Sequence, residues 1–226
     1  MNNLNIKIIF FDVGSVLLTR KEDFDVIASK FLNVDPQIYK DHLLEIIQSE
    51  ECRQQYRAIS NIEEERGFQI WVNEQIIQRF NLELTDEKIA YLSNLRVNRT
   101  WNYRLLENVI DALDYLKSKY RLGIISNAPP SRRHFELKDF DLEKYFDPII
   151  ISAEVQSNKP EEKIFQIALE LAGVEAGHSA MIDNKVENLQ TAKKMGFSQC
   201  VLYNFDKVDQ KKFLVVDNFI EFKEIF

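Results

Sequence analysis

The chain has 226 residues, about one and a half times the ~150 residues of a typical domain, which fits one large domain or a core with an insertion. Its 45% hydrophobic and 29% charged residues exclude collagen-like, low-complexity and intrinsically disordered chains. The formal net charge of −7 argues against nucleic acid or an anionic membrane as the partner, because both select proteins with a basic face.

The first predicted element is a strand over residues 6–11, an apolar β-rich run that ends at Asp12 and Gly14. An apolar run of this length bounded by turn residues is typical of a buried strand. From about Phe24 to Arg96 the apolar residues recur at helical spacing, with Pro36 as the only proline. This block is therefore predicted to be all-α.

Beyond a polar break over residues 98–103, helices and strands alternate. The predicted elements are a helix over 106–116, a strand over 122–126, a strand over 148–152, a helix over 160–172, a strand over 179–183, a helix over 186–195 and a strand over 199–203. Such alternation indicates right-handed βαβ units and a parallel sheet. The predicted fold class is α/β, with a Rossmann-like core over residues 1–18 and 99–226 and an α-helical cap over 19–98, inserted after the first strand.

Two cysteines, Cys52 and Cys200, lie far apart and match no metal-ligand spacing, so neither a disulfide framework nor a zinc site is expected. Lys7 and Asp12 interrupt the apolar stretch near the N-terminus, and no small-residue cleavage site follows, which argues against a signal peptide. No run approaches the ~20 apolar residues that span a bilayer. We therefore expect a cytoplasmic protein.

Polar residues stand where the predicted strands end. Three of them stand at the C-terminal end of a predicted strand: Asp12, Ser126 and Asp183. Lys159 lies in the loop after the strand over 148–152. Ligands of open α/β sheets bind outside the carboxyl ends of the strands. These four side chains are therefore expected to converge at one edge of the sheet.

The segments around these residues form four short motifs: Phe10–Leu17, Ile124–Asn127, Asn158–Pro160 and Met181–Asn184. In their order and spacing they resemble the motifs of the haloacid dehalogenase-like hydrolase superfamily, in the subfamily with a helical cap after the first strand. The resemblance covers nearly the whole chain. It implies a hydrolase that transfers phosphoryl groups through an aspartyl-phosphate, and it places Asp12 at the position of the nucleophile.

The resemblance also implies a cofactor and a phosphate site. Asp12, Asp183 and the backbone carbonyl of Gly14 would hold Mg²⁺, a hard cation that prefers oxygen ligands. Lys159 would neutralise the phosphate and orient Asp12. Phosphate contacts are further expected from the Ser126 hydroxyl and from the loop at Gly14 and Asn127. Pro160 is expected to start the next helix and, with the acidic residues after it, to fix the backbone behind Lys159.

The chain departs from the family pattern at two positions. Gly14 stands where the family carries a second Asp, the general acid that protonates the leaving group. Asn184 replaces an acidic residue found in many relatives, and Asn188, one helical turn on, is a less certain neighbour of the metal. We hypothesise a preference for good leaving groups, such as an anomeric sugar phosphate or an aryl phosphate.

The sequence thus favours a Mg²⁺-dependent phosphatase of small phosphorylated metabolites, a monomer by default with a homodimer possible. Two alternatives stay open: a 2-haloacid dehalogenase, which needs neither metal nor general acid, and a low-activity or non-catalytic phosphate-binding regulatory protein. Arg132 and Arg133 are expected to be solvated surface residues, although they could reach a substrate anion, and Arg57 is a weak candidate for substrate contact.

Overall fold

The computed structural model describes residues 5–207 and 212–226. Within them the strands are β1 (Ile8–Phe11), β2 (Leu18–Arg20), β3 (Tyr103–Leu105), β4 (Arg121–Ser126), β5 (Ile149–Ile151), β6 (Ser179–Asp183), β7 (Gln199–Tyr203) and β8 (Leu214–Val216). The α-helices are α1 (Phe24–Leu32), α2 (Pro36–Gln48), α3 (Glu50–Arg57), α4 (Ile62–Arg79), α5 (Asp86–Val97), α6 (Val109–Lys117), α7 (Ser152–Val155), α8 (Glu162–Ala172), α9 (Val186–Lys194) and α10 (Phe222–Ile225).

The chain divides into two units. Apart from residues outside the described ranges, the first consists of Met1–Thr19, Arg104–Ala128 and Phe140–Phe226, and the second consists of Arg20–Tyr103 and Pro129–Asp139. The division into a core over residues 1–18 and 99–226 and a cap over 19–98 stays a prediction. The second unit takes in two segments that the prediction assigns to the core, residues 99–103 and Pro129–Asp139.

A six-stranded sheet organises the first unit, with its strands in the order β5-β4-β1-β6-β7-β8. Every pairing in it is parallel. All four residues of β1, Ile-Ile-Phe-Phe, are fully buried, as expected for a central strand covered on both faces. The predicted α/β class with a parallel sheet is therefore confirmed.

Short elements account for most differences from the predicted elements. The strands β2, β3 and β8 have three residues each and were not predicted, because so few residues carry no recognisable period. β2 and β3 form a separate two-stranded sheet. The strand predicted over 148–152 ends one residue early, since Ser152 already begins α7.

The predicted helix start at Pro160 is wrong. Helix α8 begins at Glu162, while Lys159 and Pro160 lie in a turn and are joined by a cis peptide bond. Glu161 occupies the N-cap position without a capping hydrogen bond from its side chain, and its carboxylate instead accepts a 2.9 Å hydrogen bond from the Ser157 hydroxyl. The backbone at Lys159 is consequently not fixed by a helix start.

The second unit contains helices α1 to α5. Their buried apolar residues form one cluster: Phe24, Ala28, Leu32, Tyr39, Leu43, Ile46, Cys52, Ile59, Phe68, Val72, Ile76 and Leu92. Side-chain caps mark where helices begin: Asp35 accepts from two backbone amides of α2, and Asn61 does the same for α4. Local sequence signals thus define these helix starts.

Residues Pro129–Asp139 join the second unit through a buried carboxylate. Glu65 on α4 accepts hydrogen bonds from the backbone amide of Ser131 at 2.8 Å and from its hydroxyl at 2.7 Å. Both residues are fully buried. Burial raises the pKa of Glu65, although the Ser131 donors act in the opposite direction. A segment that directly follows the loop after β4 is in this way fixed to a helix of the second unit.

Neither cysteine forms a disulfide. Burial raises the pKa of Cys200 to about 12, so its thiol is not activated as a nucleophile. Of the helices that residues 5–207 and 212–226 form, none combines the length and the apolar character needed to cross a membrane.

Two glycine substitutions test the packing in opposite directions. A Cβ at Gly123 on β4 would lie 2.7 Å from two ring carbons of Phe10, which is fully buried, so Gly123→Ala should lower the free energy of unfolding by about 1–3 kcal/mol. Gly67 lies on α4 with no atom within 4 Å of its would-be Cβ, so Gly67→Ala should raise it by about 0.5–1 kcal/mol. Urea unfolding of both variants measures these changes, and a stable Gly123→Ala protein would contradict the packing of β4 against Phe10.

Candidate active site

Two carboxylates stand side by side at the carboxyl edge of the sheet. β1 and β6 are neighbours in register, with Phe11 opposite Ile182, so the next residues, Asp12 and Asp183, meet at the strand ends. The Asp12 amide donates a 2.9 Å hydrogen bond to the Ile182 carbonyl and extends the ladder by one residue. Asp12 is 9% exposed and Asp183 is fully buried. Register therefore brings together two residues far apart in the sequence.

The Lys159 ammonium group lies between these carboxylates. Its Nζ donates to Asp12 Oδ1 at 2.8 Å and to Asp183 Oδ2 at 2.6 Å, and its side chain is 1% exposed. Burial alone would lower the pKa of Lys159, but the charges of Asp12 and Asp183 outweigh burial and raise it. The two carboxylates therefore favour the charged form of the lysine.

Asn127 fixes the backbone of Lys159. Its side-chain Nδ2 donates to the Lys159 carbonyl at 2.7 Å, and its Oδ1 accepts from the Lys159 amide at 2.7 Å. A side-chain amide bonded in both directions sets the position of the turn at Lys159–Pro160. A helix start at Pro160 was expected to fix the backbone of Lys159. The Asn127 side chain fixes it instead.

The loop that follows β4 is fixed by hydrogen bonds with Ser152, the residue directly after β5. Ser152 Oγ accepts from the Ala128 amide at 3.1 Å and donates to the Ala128 carbonyl at 3.3 Å. Ser126, the last residue of β4, is 2% exposed, and its hydroxyl makes no hydrogen bond within the described part of the chain. Ser152 was missed by the sequence analysis, although it too stands at the end of a predicted strand.

The Asp183 carboxylate is fixed by groups of the following helix. Asn188 Nδ2 lies 3.0 Å from both carboxylate oxygens, and the Lys185 amide donates to Oδ1 at 2.8 Å. Burial raises the pKa of Asp183, although Lys159 acts against it. The structure thus places Asn188, the least certain candidate from the sequence, in direct contact with Asp183, whereas the Asn184 side chain makes no hydrogen bond among the described residues.

The donor set at this edge fits a hard cation. No group of three or more His, Cys, Asp or Glu residues in the described ranges is arranged to hold a metal, so an ion here would rely on the Asp12 and Asp183 carboxylates. Mg²⁺ is commonly held by one or two carboxylates and completes its shell with water and substrate phosphate. Asp12 Oδ2 accepts no hydrogen bond from a described group, and the Gly14 backbone follows two residues later.

The arginines considered in the sequence analysis all belong to the second unit. The expectation that Arg132 is a solvated surface residue is wrong, because it is 7% exposed and its guanidinium lies 4.9 Å from the centre of the Tyr103 ring in the second unit. Arg133, in the same segment, is half-buried. Arg57 is exposed at the end of α3.

The family comparison extends over most of the chain. Residues 6–196 match the family described as haloacid dehalogenase-like hydrolase. This range includes all four motifs and every residue of the candidate site.

Two characterised relatives are phosphatases. A phosphorylated carbohydrates phosphatase of Thermotoga maritima is 26% identical over 151 residues, which is 64% of this chain and 66% of the relative. A glyceraldehyde 3-phosphate phosphatase of Methanothermobacter thermautotrophicus is 32% identical over 133 residues, 54% of this chain and 58% of the relative. The chain therefore spans between half and two thirds of the length of these relatives.

The fold has close counterparts among solved structures. The crystal structure of a HAD phosphatase from Thermococcus onnurineus, at 21% identity, matches with a TM-score of 0.65 over 97% of both chains. From the extent of the family match, together with a parallel sheet that carries the four motifs at its carboxyl edge, we conclude that the chain belongs to the haloacid dehalogenase-like hydrolases.

Proposed function

We propose that this protein is a Mg²⁺-dependent phosphatase that hydrolyses a small phosphorylated metabolite through an aspartyl-phosphate. The observation that carries the proposal is the position of the Lys159 ammonium, 2.8 Å from Asp12 and 2.6 Å from Asp183, at the carboxyl edge of the sheet. Phosphoryl transfer needs a nucleophile, positive charge and preorganised donors in one place, because negative charge spreads over the transferring oxygens.

Asp12 is the nucleophile in this proposal. One of its carboxylate oxygens is fixed by Lys159, and the other, Oδ2, is free of hydrogen bonds from described groups and able to attack phosphorus. A bond forms between this oxygen and phosphorus as the bond from phosphorus to the leaving oxygen breaks. Water then hydrolyses the aspartyl-phosphate, which releases inorganic phosphate and restores the carboxylate.

Lys159 and Ser126 bind the phosphate. The lysine charge offsets the charge of the phosphate oxygens, and its position is held through the backbone by Asn127. The Ser126 hydroxyl, which has no bond to a described protein group, is available as a donor at the end of the neighbouring strand. Gly14 and the loop around Asn127 would supply backbone donors and carbonyls at the same edge.

Asp12, Asp183 and the Gly14 carbonyl would hold the Mg²⁺. When bound, the ion supplies positive charge that stabilises the phosphate oxygens. Asn188 and the Lys185 amide orient Asp183 for this task, since second-shell hydrogen bonds fix the ligands of metal sites.

Gly14 restricts the substrates to those with good leaving groups. A positioned general acid is typically worth ~10²–10⁴-fold, and no carboxylate stands at this position to protonate an alkoxide. An anomeric sugar phosphate or an aryl phosphate is less dependent on that proton. The relatives named for phosphorylated carbohydrates and for glyceraldehyde 3-phosphate support a small phosphorylated metabolite as the substrate class.

Replacement of the nucleophile tests the reaction. Asp12→Asn keeps the shape of the side chain but removes its charge, so phosphate release from aryl, anomeric-sugar and alkyl phosphates should fall by about 10³-fold or more. EDTA should abolish release by the parent protein, and added Mg²⁺ should restore it. The measurement is phosphate release by both proteins, each with Mg²⁺ and with EDTA.

The outcomes of this assay separate the alternatives. Release that persists in Asp12→Asn would come from a contaminating phosphatase. Metal-independent halide release from a 2-haloacid, with no phosphate release, would replace the proposal with a dehalogenase. A parent protein that binds phosphate analogues and turns over neither substrate class would be a regulatory protein.

Gly14→Asp tests the leaving-group restriction. A Cβ at this position would have no atom within 4 Å, so the site has room for a longer side chain. The added carboxyl group should raise the rate on alkyl phosphates by about tenfold or more and leave aryl phosphates nearly unchanged, because only the poor leaving group needs protonation. Gly14→Ala, which adds the Cβ without the acid, is the matched control. Equal acceleration of both substrate classes would contradict the restriction.

Asn188→Asp tests the metal site with a readout other than turnover. A third carboxylate next to the buried Asp183 should lower the melting temperature in EDTA, because like charges repel in a buried site. Mg²⁺ should reverse this loss, because the cation compensates the added carboxylate and accepts a further oxygen ligand. Asn94→Asp makes the same change at an exposed position of α5 and should show neither effect. A melting temperature of Asn188→Asp that does not respond to Mg²⁺ would contradict a metal at this site.

A further inference from the structure

A small cavity in the second unit is rich in guanidinium groups. It measures about 120 Å³ and is lined by residues that include Arg20, Arg96, Arg99, Gln69 and Tyr103. At ~30 Å³ for each water molecule, this volume corresponds to about four waters or to one small polar group. Every one of these residues lies within Arg20–Tyr103, so the cavity belongs to the second unit alone.

Positive charge in this cavity is only partly compensated. Among the described residues, neither Arg20 nor Arg96 has a carboxylate within 4.0 Å, and Arg99 has one, Glu136 Oε1 at 3.6 Å from its Nε. Asp23 and Asp25 also line the cavity, but they form no ion pair with the three arginines. A cation is therefore disfavoured, and a group with negatively charged oxygens is favoured.

Several polar atoms of the lining residues are buried without a hydrogen-bond partner. They are Arg96 Nε, Arg99 Nε and Gln69 Oε1. Buried polar atoms in native proteins are nearly always satisfied by protein, water or ligand. Arg99 Nε faces the Glu136 carboxylate at 3.6 Å, whereas Arg96 Nε is a donor on a charged group with no carboxylate within 4.0 Å among the described residues.

Tyr103 adds an acidic hydroxyl to the same wall. Its oxygen accepts from Arg20 Nε at 3.3 Å and from Arg132 Nη2 at 3.4 Å, and its own proton has no acceptor within the described ranges. Burial alone would raise the pKa of Tyr103, but Arg132, Arg99 and Arg20 together lower it. The residue is 4% exposed, so little bulk solvent reaches its hydroxyl.

We propose that this cavity is a binding site for a small oxyanion, a carboxylate or phosphate group, held by Arg20, Arg96, Arg99 and the Tyr103 hydroxyl. The oxyanion is a free ion that binds as an effector.

The test uses sulfate as the probe, because it is a tetrahedral anion that cannot be hydrolysed. Calorimetric titration of the full chain in EDTA at low ionic strength should give binding that weakens at least about tenfold in Tyr103→Phe and in Arg20→Gln. Arg53→Gln, at an exposed position of α3, makes the same charge change outside the cavity and should bind sulfate like the parent protein. Melting temperatures of the three variants verify that each is folded.

Two results overturn the proposal: no sulfate binding by the parent protein, or equal binding by the parent, Tyr103→Phe and Arg20→Gln. The calorimetric arm does not depend on turnover. A protein that binds sulfate in this cavity and releases no phosphate would therefore refute the phosphatase and leave the anion site standing.

Discussion

The ion pairs of Lys159 with Asp12 and Asp183 are the interaction on which the site depends. An unpaired carboxylate or ammonium group is costly to bury, and these three groups are at most 9% exposed. Each therefore requires the others: the lysine compensates both carboxylates, and the carboxylates keep the lysine charged. Asp12 Oδ2, which accepts no hydrogen bond from a described group, is the oxygen to which the proposed function assigns the attack on phosphorus.

The parallel sheet makes this arrangement possible. Because β1 and β6 run side by side in the same direction, the pairing of the two strands brings Asp12 and Asp183 together at their carboxyl ends. Lys159 lies in a turn, and strand pairing does not fix the position of a turn. Asn127 supplies the missing constraint by bonding both the amide and the carbonyl of Lys159, and the neighbouring loop residue Ala128 is itself fixed by Ser152. Side-chain hydrogen bonds to the backbone thus fix the loops at the carboxyl edge of the sheet.

The strand ends were predictable from the sequence, and the contacts of the loops were not. Short apolar runs end at Asp12, Ser126 and Asp183, and such runs can be recognised from the sequence alone. Pro160 was interpreted as a helix start because proline is common there, yet a tertiary contact with Asn127 holds a turn at this point. The position of Arg132 depends in the same way on the packing of its segment against Glu65, a residue 66 positions away from Ser131 in the sequence. No local pattern encodes contacts of that kind.

The departures from the family pattern reduce the negative charge at the candidate site. Gly14 and Asn184 stand where the family pattern has acidic residues, so the site holds less negative charge than one with acids at these positions. Less negative charge repels a phosphate dianion less, but it also attracts Mg²⁺ less and provides no proton for the leaving group. In the proposed function, activity depends on stabilising the transferring phosphoryl group, through Lys159 and Ser126, more than on proton transfer. In that proposal, the missing general acid slows least those substrates whose leaving oxygen departs readily without a proton.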